Sequence, residues 1–307
     1  MRHGHLLKKL PSFFLPLQGF LKVNYSIPQA LDVVSMYYEI YELPHSQLKS
    51  PPILFMHDLN FSHISWRRVA RHLSKTGPRR VIIVDARNHG LSQHSPHHTP
   101  AHMAGDVVAL MKDQRLSRIT AIGMGMGGRA LMTLALTQPQ LVERAIFINI
   151  TPAPLPKGFY LSEELFQLML KLERSIPHGY NLSEGRRFVL AHLNKLVKEE
   201  MDLMLVIRNL LKLHSGRFAW AVNAQAILDG WRDTMSDYEQ TIKGLQPYKG
   251  ETLLIAGQRA HFVTRCNVKR MRNYFPQLQV KYMDAGYTPQ LEQPDEFIKL
   301  VADFTRR

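Results

Sequence analysis

The 307-residue chain has a single cysteine, Cys266, so neither an intramolecular disulfide framework nor a cysteine-based zinc site is open to it. It has no block of five or more like charges, although its formal net charge is +14. Half of that excess lies in residues 51–150, where 12 Lys and Arg stand against 5 Asp and Glu. A diffuse excess without a basic stripe or interleaved aromatics does not describe a nucleic-acid surface, and nucleic acid is not an expected partner. Long apolar runs are also missing. The longest near the N-terminus, Leu10 to Leu21, is broken by Pro11, Pro16 and Gln18 and is too short to span a membrane, so no transmembrane segment is expected.

What is present is an ordinary globular composition, 45% hydrophobic and 21% charged, on a chain of the length of one large α/β domain with an insertion. Acidic residues are absent before Asp32, while Arg2, Lys8, Lys9 and Lys22 alternate with Leu and Phe. Residues 1–31 therefore read as a targeting extension of mitochondrial type, with the cytoplasm as the alternative location if they are only a basic extension.

From Tyr37 onward strands and helices alternate. Residues 36–43, 51–57, 79–84, 118–123 and 144–150 are short apolar strand segments, and helical spacing separates them at 66–73, 103–114 and 127–138. Continuously apolar strands joined by helices predict a mainly parallel twisted sheet covered on both faces. From Pro152 to about Gly250 the pattern turns to amphipathic helices with no convincing strand. Residues 251–257 and 278–284 then resume as strands, and a last helix follows. The expected architecture is one α/β domain over about 35–305, carrying a helical insertion at about 152–250.

In such a sheet the chemistry collects just beyond the strands' C-terminal ends. Those positions hold His57-Asp58-Leu59, the loop Asp85-Ala86-Arg87-Asn88-His89-Gly90, the turn Gly123-Met124-Gly125-Met126-Gly127-Gly128, Asn149, Gly257 and Gly286-Tyr287. The loop DARNHGLSQHSP, the segment AIGMGMGGRALMTLAL, the phrase QPQLVERAIFINITPAP and the tail AGYTPQLEQPDEF resemble the α/β-hydrolase fold. More narrowly they resemble the α/β-hydrolase domain-containing protein 11 group of serine esterases, many of them mitochondrial, over about residues 35–305.

The resemblance implies a degenerate triad. Where that group has G-x-S-x-G, a strained elbow that lifts a serine hydroxyl out of the sheet, this chain has Gly125 at the nucleophile position. Tyr287 stands where the group has its histidine, and with a solution pKa near 10 it is a poor base at neutral pH. The acid position falls on Gln225, through the phrase Trp220-Ala221-Val222-Asn223-Ala224-Gln225, or on Asn149. In the oxyanion loop Asp58 replaces glycine, next to Leu59 and Met126, whose N–H groups would face a developing oxyanion. The expectation is a non-catalytic hydrolase-like chain that keeps an apolar pocket beneath the insertion, lined by His57, Leu59, Met124, Met126 and apolar residues of the insertion, for an apolar or acyl ligand or for a protein partner. The alternative is a residual or atypical carboxylic ester hydrolase.

Two further patterns have blander readings. Gly123, Gly125 and Gly128 satisfy G-x-G-x-x-G with Glu143 twenty residues on, a dinucleotide fingerprint and a lower alternative. Yet the glycines belong to the elbow, and Glu143 precedes the next strand instead of ending it. The 15 histidines include His94, His97 and His98 in one loop, without metal-ligand spacing, so neither a metal nor a cofactor is expected. His89 is expected to shape its turn, with Asp85 and Arg87 pairing to hold the loop.

Overall fold

A computed structural model describes residues 32–43, 50–76, 79–155, 161–260 and 262–306. The N-terminal extension lies outside the described residues. The strands β1 (Tyr38–Tyr41), β2 (Ile53–Met56), β3 (Val81–Val84), β4 (Ile119–Met124), β5 (Val142–Ile148), β8 (Thr252–Gly257) and β9 (Leu278–Met283) form a sheet in the order β1-β3-β2-β4-β5-β8-β9. Only β1 runs antiparallel, against β3; the other pairs are parallel. This is the mainly parallel sheet expected from continuous apolar strands, since both of its faces are covered.

The alternation of side chains along each strand divides the interior in two. Ile53, Phe55, Ile83, Ile122 and Ile146 pack with Trp66, which precedes α1 (Arg67–Leu73), with Val69 of that helix, and with Phe297 and Val301 of the last helix, α11 (Pro294–Thr305). Leu54, Ile82, Ala121 and Phe147 face α2 (Pro100–Asp113), α3 (Gly125–Thr137) and α9 (Arg265–Arg272), and this second core continues into the insertion. In the sheet β2 lies between β3 and β4, so the direction of winding reverses there, and the carboxyl ends of β2 and β4 are where a site is expected.

The insertion contains α4 (Glu163–Ser175), α5 (Leu182–Leu193), α6 (Glu200–Ile207), α7 (Ala224–Asp229), a π-helical turn (Arg232–Ser236) and α8 (Tyr238–Thr241). It also holds a hairpin, β6 (Leu210–Lys212) paired with β7 (Phe218–Trp220), which corrects the reading of an insertion without strands. Three-residue strands inside an apolar, Leu-rich stretch carry no period by which to be told from a helix. A short helix, α10 (Pro289–Glu292), follows Tyr287.

One buried arginine fastens the insertion to the sheet. Arg129, on α3 four residues after Gly125, is fully buried and donates to the carbonyls of Thr151, Ala153, Thr234 and Met235, with the Tyr238 ring 5.1 Å from its guanidinium carbon. Four backbone carbonyls satisfy the guanidinium in place of a carboxylate, tying the π-helical turn to the end of β5. Burial lowers its pKa to about 10, so it remains cationic at neutral pH.

Candidate functional site

The first contributor is Gly125, which starts α3 directly after β4 with φ +50°. A glycine takes this left-handed conformation without strain. Its neighbours are crowded as well: a Cβ on Gly127 would lie 2.5 Å from the His57 carbonyl oxygen, and one on Gly123 2.6 Å from that of Gly127. The elbow is therefore built for close backbone approach. The side chain that a serine would present is not there.

Asp58 takes that space. A Cβ built on Gly125 would fall inside the Asp58 carboxylate, which is itself completely buried. Its Oδ1 accepts the Met126 backbone N–H at 2.7 Å, and its Oδ2 accepts a short hydrogen bond from the Tyr287 hydroxyl. Burial raises the carboxyl from 3.8 to about 6, against the stabilising Tyr287 hydroxyl and the N–H groups of Met126 and Leu59. These two N–H groups are the ones the resemblance assigned to an oxyanion. An internal carboxylate occupies their hole, since orphan N–H groups at a helix N-terminus favour negative charge.

Tyr287 comes from the loop after β9, and Asn149 holds that loop. Asn149 (φ +48°) donates from its amide nitrogen to the carbonyls of Gly286 and Tyr287, at 3.2 and 2.8 Å, and accepts the Gly257 N–H at 2.8 Å. The amide thus joins the ends of β5, β8 and β9. Gln225 lies elsewhere: it is exposed on α7 and donates to Asp229 at 2.9 Å. Of the two expected acid positions, the structure brings Asn149 to Tyr287 and leaves Gln225 on the surface. The phrase match to Gln225 follows chain order, which does not determine which insertion residue points inward.

The expected pocket wall needs correction. His57, Leu59, Met124 and Met126 are all fully buried and are spent on packing and hydrogen bonds. The His57 ring bonds the Asp58 carbonyl and the Ala86 N–H, at 2.7 and 3.0 Å, and burial lowers its pKa. Met124 packs beside Phe55 and Ile148, and its sulfur accepts from the Gln290 amide at 3.2 Å. Met126 meets His98 at 3.1 Å. Cavities open at other residues, one of about 440 Å³ within the insertion between Glu173, His178 and Arg217, and one of about 330 Å³ where the loop at His94 meets Asn223 and Gln225 of the insertion.

Of the other patterns, the pairing of Asp85 with Arg87 is the one whose expected reading the structure changes. The dinucleotide reading is overturned, because the α3 N-terminus already holds the Asp58 carboxylate, which would repel a pyrophosphate. Glu143 in turn pairs with Arg118 at 2.5 Å, near the start of β5 and away from the site end of the sheet. Arg87 does not pair with Asp85. It makes a buried bidentate pair with Asp106 at 2.6 and 2.7 Å, while Asp85 accepts from the ring and backbone N–H of His63 and from the Leu91 N–H. His89 bonds the Arg87 carbonyl and is buried, and burial pushes its pKa well down. Among the described residues no three His, Cys, Asp or Glu side chains converge as a metal site, and no helix is long and apolar enough to cross a membrane.

Three neighbours escaped the sequence reading: Asn60, Arg129 and Gln290. An arginine in the otherwise apolar α3 was a signal. Asn60, two residues past Asp58, and Gln290, three past Tyr287, gave none beyond their nearness.

Residues 51–176 match the model of the alpha/beta hydrolase fold family. The chain is 29% identical over 266 residues to the "sn-1-specific diacylglycerol lipase ABHD11" of Mus musculus, covering 86% of this chain and 84% of that protein. The Danio rerio protein of the same name is 28% identical over 274 residues, 88% and 82% of the two chains. Among solved structures, a marine microorganism esterase superposes with a TM-score of 0.75 at 22% identity, over 88% and 99% of the chains. The enol-lactonase from Burkholderia xenovorans gives 0.64 at 21% identity, over 91% and 99%. These relatives carry the names of hydrolases and give the expectation of a non-catalytic chain no support.

Proposed function

From a chain of the α/β-hydrolase superfamily that resembles the ABHD11 diacylglycerol lipases, we propose an atypical carboxylic ester hydrolase whose reacting carboxylate is Asp58, in place of a serine. One observation carries this reading: the Asp58 carboxylate fills the volume of a residue-125 side chain and touches both the Met126 N–H and the Tyr287 hydroxyl. The names of the relatives support the ester substrate.

The chemistry follows from the two contacts. A carboxylate with a pKa of about 6 is ionised at neutral pH and suited to accept a proton from water. Water oxygen bonds to the ester carbonyl carbon, its proton passes to Asp58, and the carbonyl oxygen becomes an oxyanion. A protonated Asp58 holds the Met126 N–H more weakly, which releases that donor to the oxyanion as charge develops. The proton then returns to the departing alkoxide as the ester C–O bond breaks. With neither a serine nor a histidine, the rate is expected to be low. Access runs past Tyr287, which is partly exposed where Asp58 is not.

The full burial of Asp58 favours a second reading, a hydrolase scaffold that holds an acyl ligand or a protein partner without turnover. Hydrolysis of p-nitrophenyl butyrate separates the two. The first predicts slow turnover that resists fluorophosphonate, rises with pH to a plateau above about 6 and is lost in Asp58→Asn. Turnover absent from the wild-type protein, or unchanged in Asp58→Asn, leaves only the scaffold. A mitochondrial location belongs to the same proposal and rests on the composition of residues 1–31; a fluorescent protein fused after residue 31 that stays in the cytoplasm would reject it.

A further inference from the structure

The cavity of about 440 Å³ within the insertion shares no lining residue with the Asp58–Tyr287 contact, and its size falls in the range of roughly 300–1,000 Å³ that holds small molecules. One wall is the end of α4, with Glu173, Arg174 and Ile176. The other is the β6–β7 hairpin, with Leu213, Arg217 and Phe218. The Trp220 ring N–H of β7 donates to the Met169 carbonyl of α4 at 2.8 Å, and the hairpin turn closes through the Leu213 N–H on the Arg217 carbonyl, also at 2.8 Å. The two walls are therefore fixed to each other.

Three charged side chains line this cavity unpaired. Glu173 is partly buried, and burial raises its pKa against the opposing effects of Arg174, the Trp220 N–H and Arg217. Both guanidiniums thus act on the carboxylate through space, yet among the described residues neither closes an ion pair with it. Glu173 and Arg174 are adjacent on α4, and neighbours one residue apart on a helix do not face each other.

We infer that this cavity binds a small zwitterion with an apolar body, of the class of an apolar α-amino acid. The two guanidiniums take its carboxylate through their paired N–H donors, and Glu173 takes its ammonium. Ile176 and Phe218, each 7% exposed, and Leu213 receive the apolar part. An anion would face Glu173, and a cation would face two guanidiniums. Only a ligand of both signs gives every charged side chain a partner. The site stands whether or not Asp58 reacts.

Titration calorimetry on the full chain compares L-phenylalanine with 3-phenylpropanoate, which lacks the ammonium, and with 2-phenylethylamine, which lacks the carboxylate. L-phenylalanine is expected to bind about tenfold tighter than either, or more. Glu173→Gln is expected to erase its advantage over 3-phenylpropanoate, and the double variant Arg174→Met, Arg217→Met its advantage over 2-phenylethylamine. All three side chains reach solvent, so both variants are expected to keep the wild-type far-UV circular dichroism and Tm. The site is overturned if L-phenylalanine does not bind, if it binds no tighter than the two singly charged compounds, or if both variants bind it as the wild-type protein does.

Discussion

The Tyr287 hydroxyl donates to the Asp58 carboxylate across 229 residues of sequence, closing a contact over the glycine at which a hydrolase would carry its nucleophile. The contact satisfies one carboxylate oxygen, and the Met126 N–H satisfies the other. Burial nevertheless outweighs both, and the carboxyl titrates near 6 instead of 3.8.

Asp58→Asn is therefore expected to stabilise the protein at neutral pH. An asparagine can still accept from Met126 and can donate to the Tyr287 oxygen, without a buried charge. Below pH 4 the carboxyl is neutral in both the folded and the unfolded chain, so it contributes nothing. Between pH 4 and 6 the folded protein retains a proton that the unfolded chain releases, so wild-type stability falls as pH rises and levels off above 6. At roughly 1.4 kcal/mol per pH unit the loss reaches about 3 kcal/mol. Urea melts of both proteins from pH 4 to 7.5 should show the gap widening in the variant's favour; a constant gap would reject the raised pKa.

Restoring a serine by itself should fail. In Gly125→Ser the Cβ collides with the Asp58 carboxylate and the residue is held at φ +50°, a combination expected to destabilise by about 3 kcal/mol or more. Asp58→Gly vacates the space and frees the Met126 N–H. The triple variant Asp58→Gly, Gly125→Ser, Tyr287→His should react with a fluorophosphonate probe while Gly125→Ser should not. Labelling of the single variant would mean that Asp58 does not block the site.

Asn149→Asp tests the nearby acid position. The amide donates to two carbonyls, and a carboxylate would face both oxygens while still accepting from Gly257. The variant should lose about 2–4 kcal/mol, as expected for a buried charge facing unpaired acceptors, and regain part of that once Tyr287→His supplies a ring N–H. Equal stability of Asn149→Asp and wild type in thermal melts would exclude the clamp.

Arg129→Met should loosen the insertion. It removes every bond to the carbonyls of residues 151, 153, 234 and 235 and leaves them buried, at an expected loss of about 3–5 kcal/mol. Limited proteolysis should then cut within 230–240 first. Cleavage spread evenly over the chain would point to global unfolding instead.

Much of the fold was legible because it rests on composition along the chain. Apolar strands of four to seven residues separated by helical spacing predict a covered parallel sheet, and the observed β4, β5, β8 and β9 lie within a residue or two of the segments read from sequence. The β6–β7 hairpin was illegible because three residues carry no period. Arg87 was assigned to Asp85, two residues away, but pairs with Asp106, nineteen away, because a buried charge takes the partner that packing brings to it.

By itself the sequence determined that a glycine stands at the elbow, a tyrosine after the last strand and an aspartate in the oxyanion loop, because residue identity at a recognisable turn needs no coordinates. Tertiary structure alone decided that these three meet. The loops after β2, β4 and β9 converge at the carboxyl ends of strands brought together by the sheet order, so an aspartate 67 positions before Gly125 occupies the missing side chain's volume. The same convergence selected Asn149 over Gln225, and it left both side-chain polar atoms of Asn60 and the amide oxygen of Gln290 buried without a partner. Burial and hydrogen-bond satisfaction depend on distance in space, and spacing along the chain does not encode them.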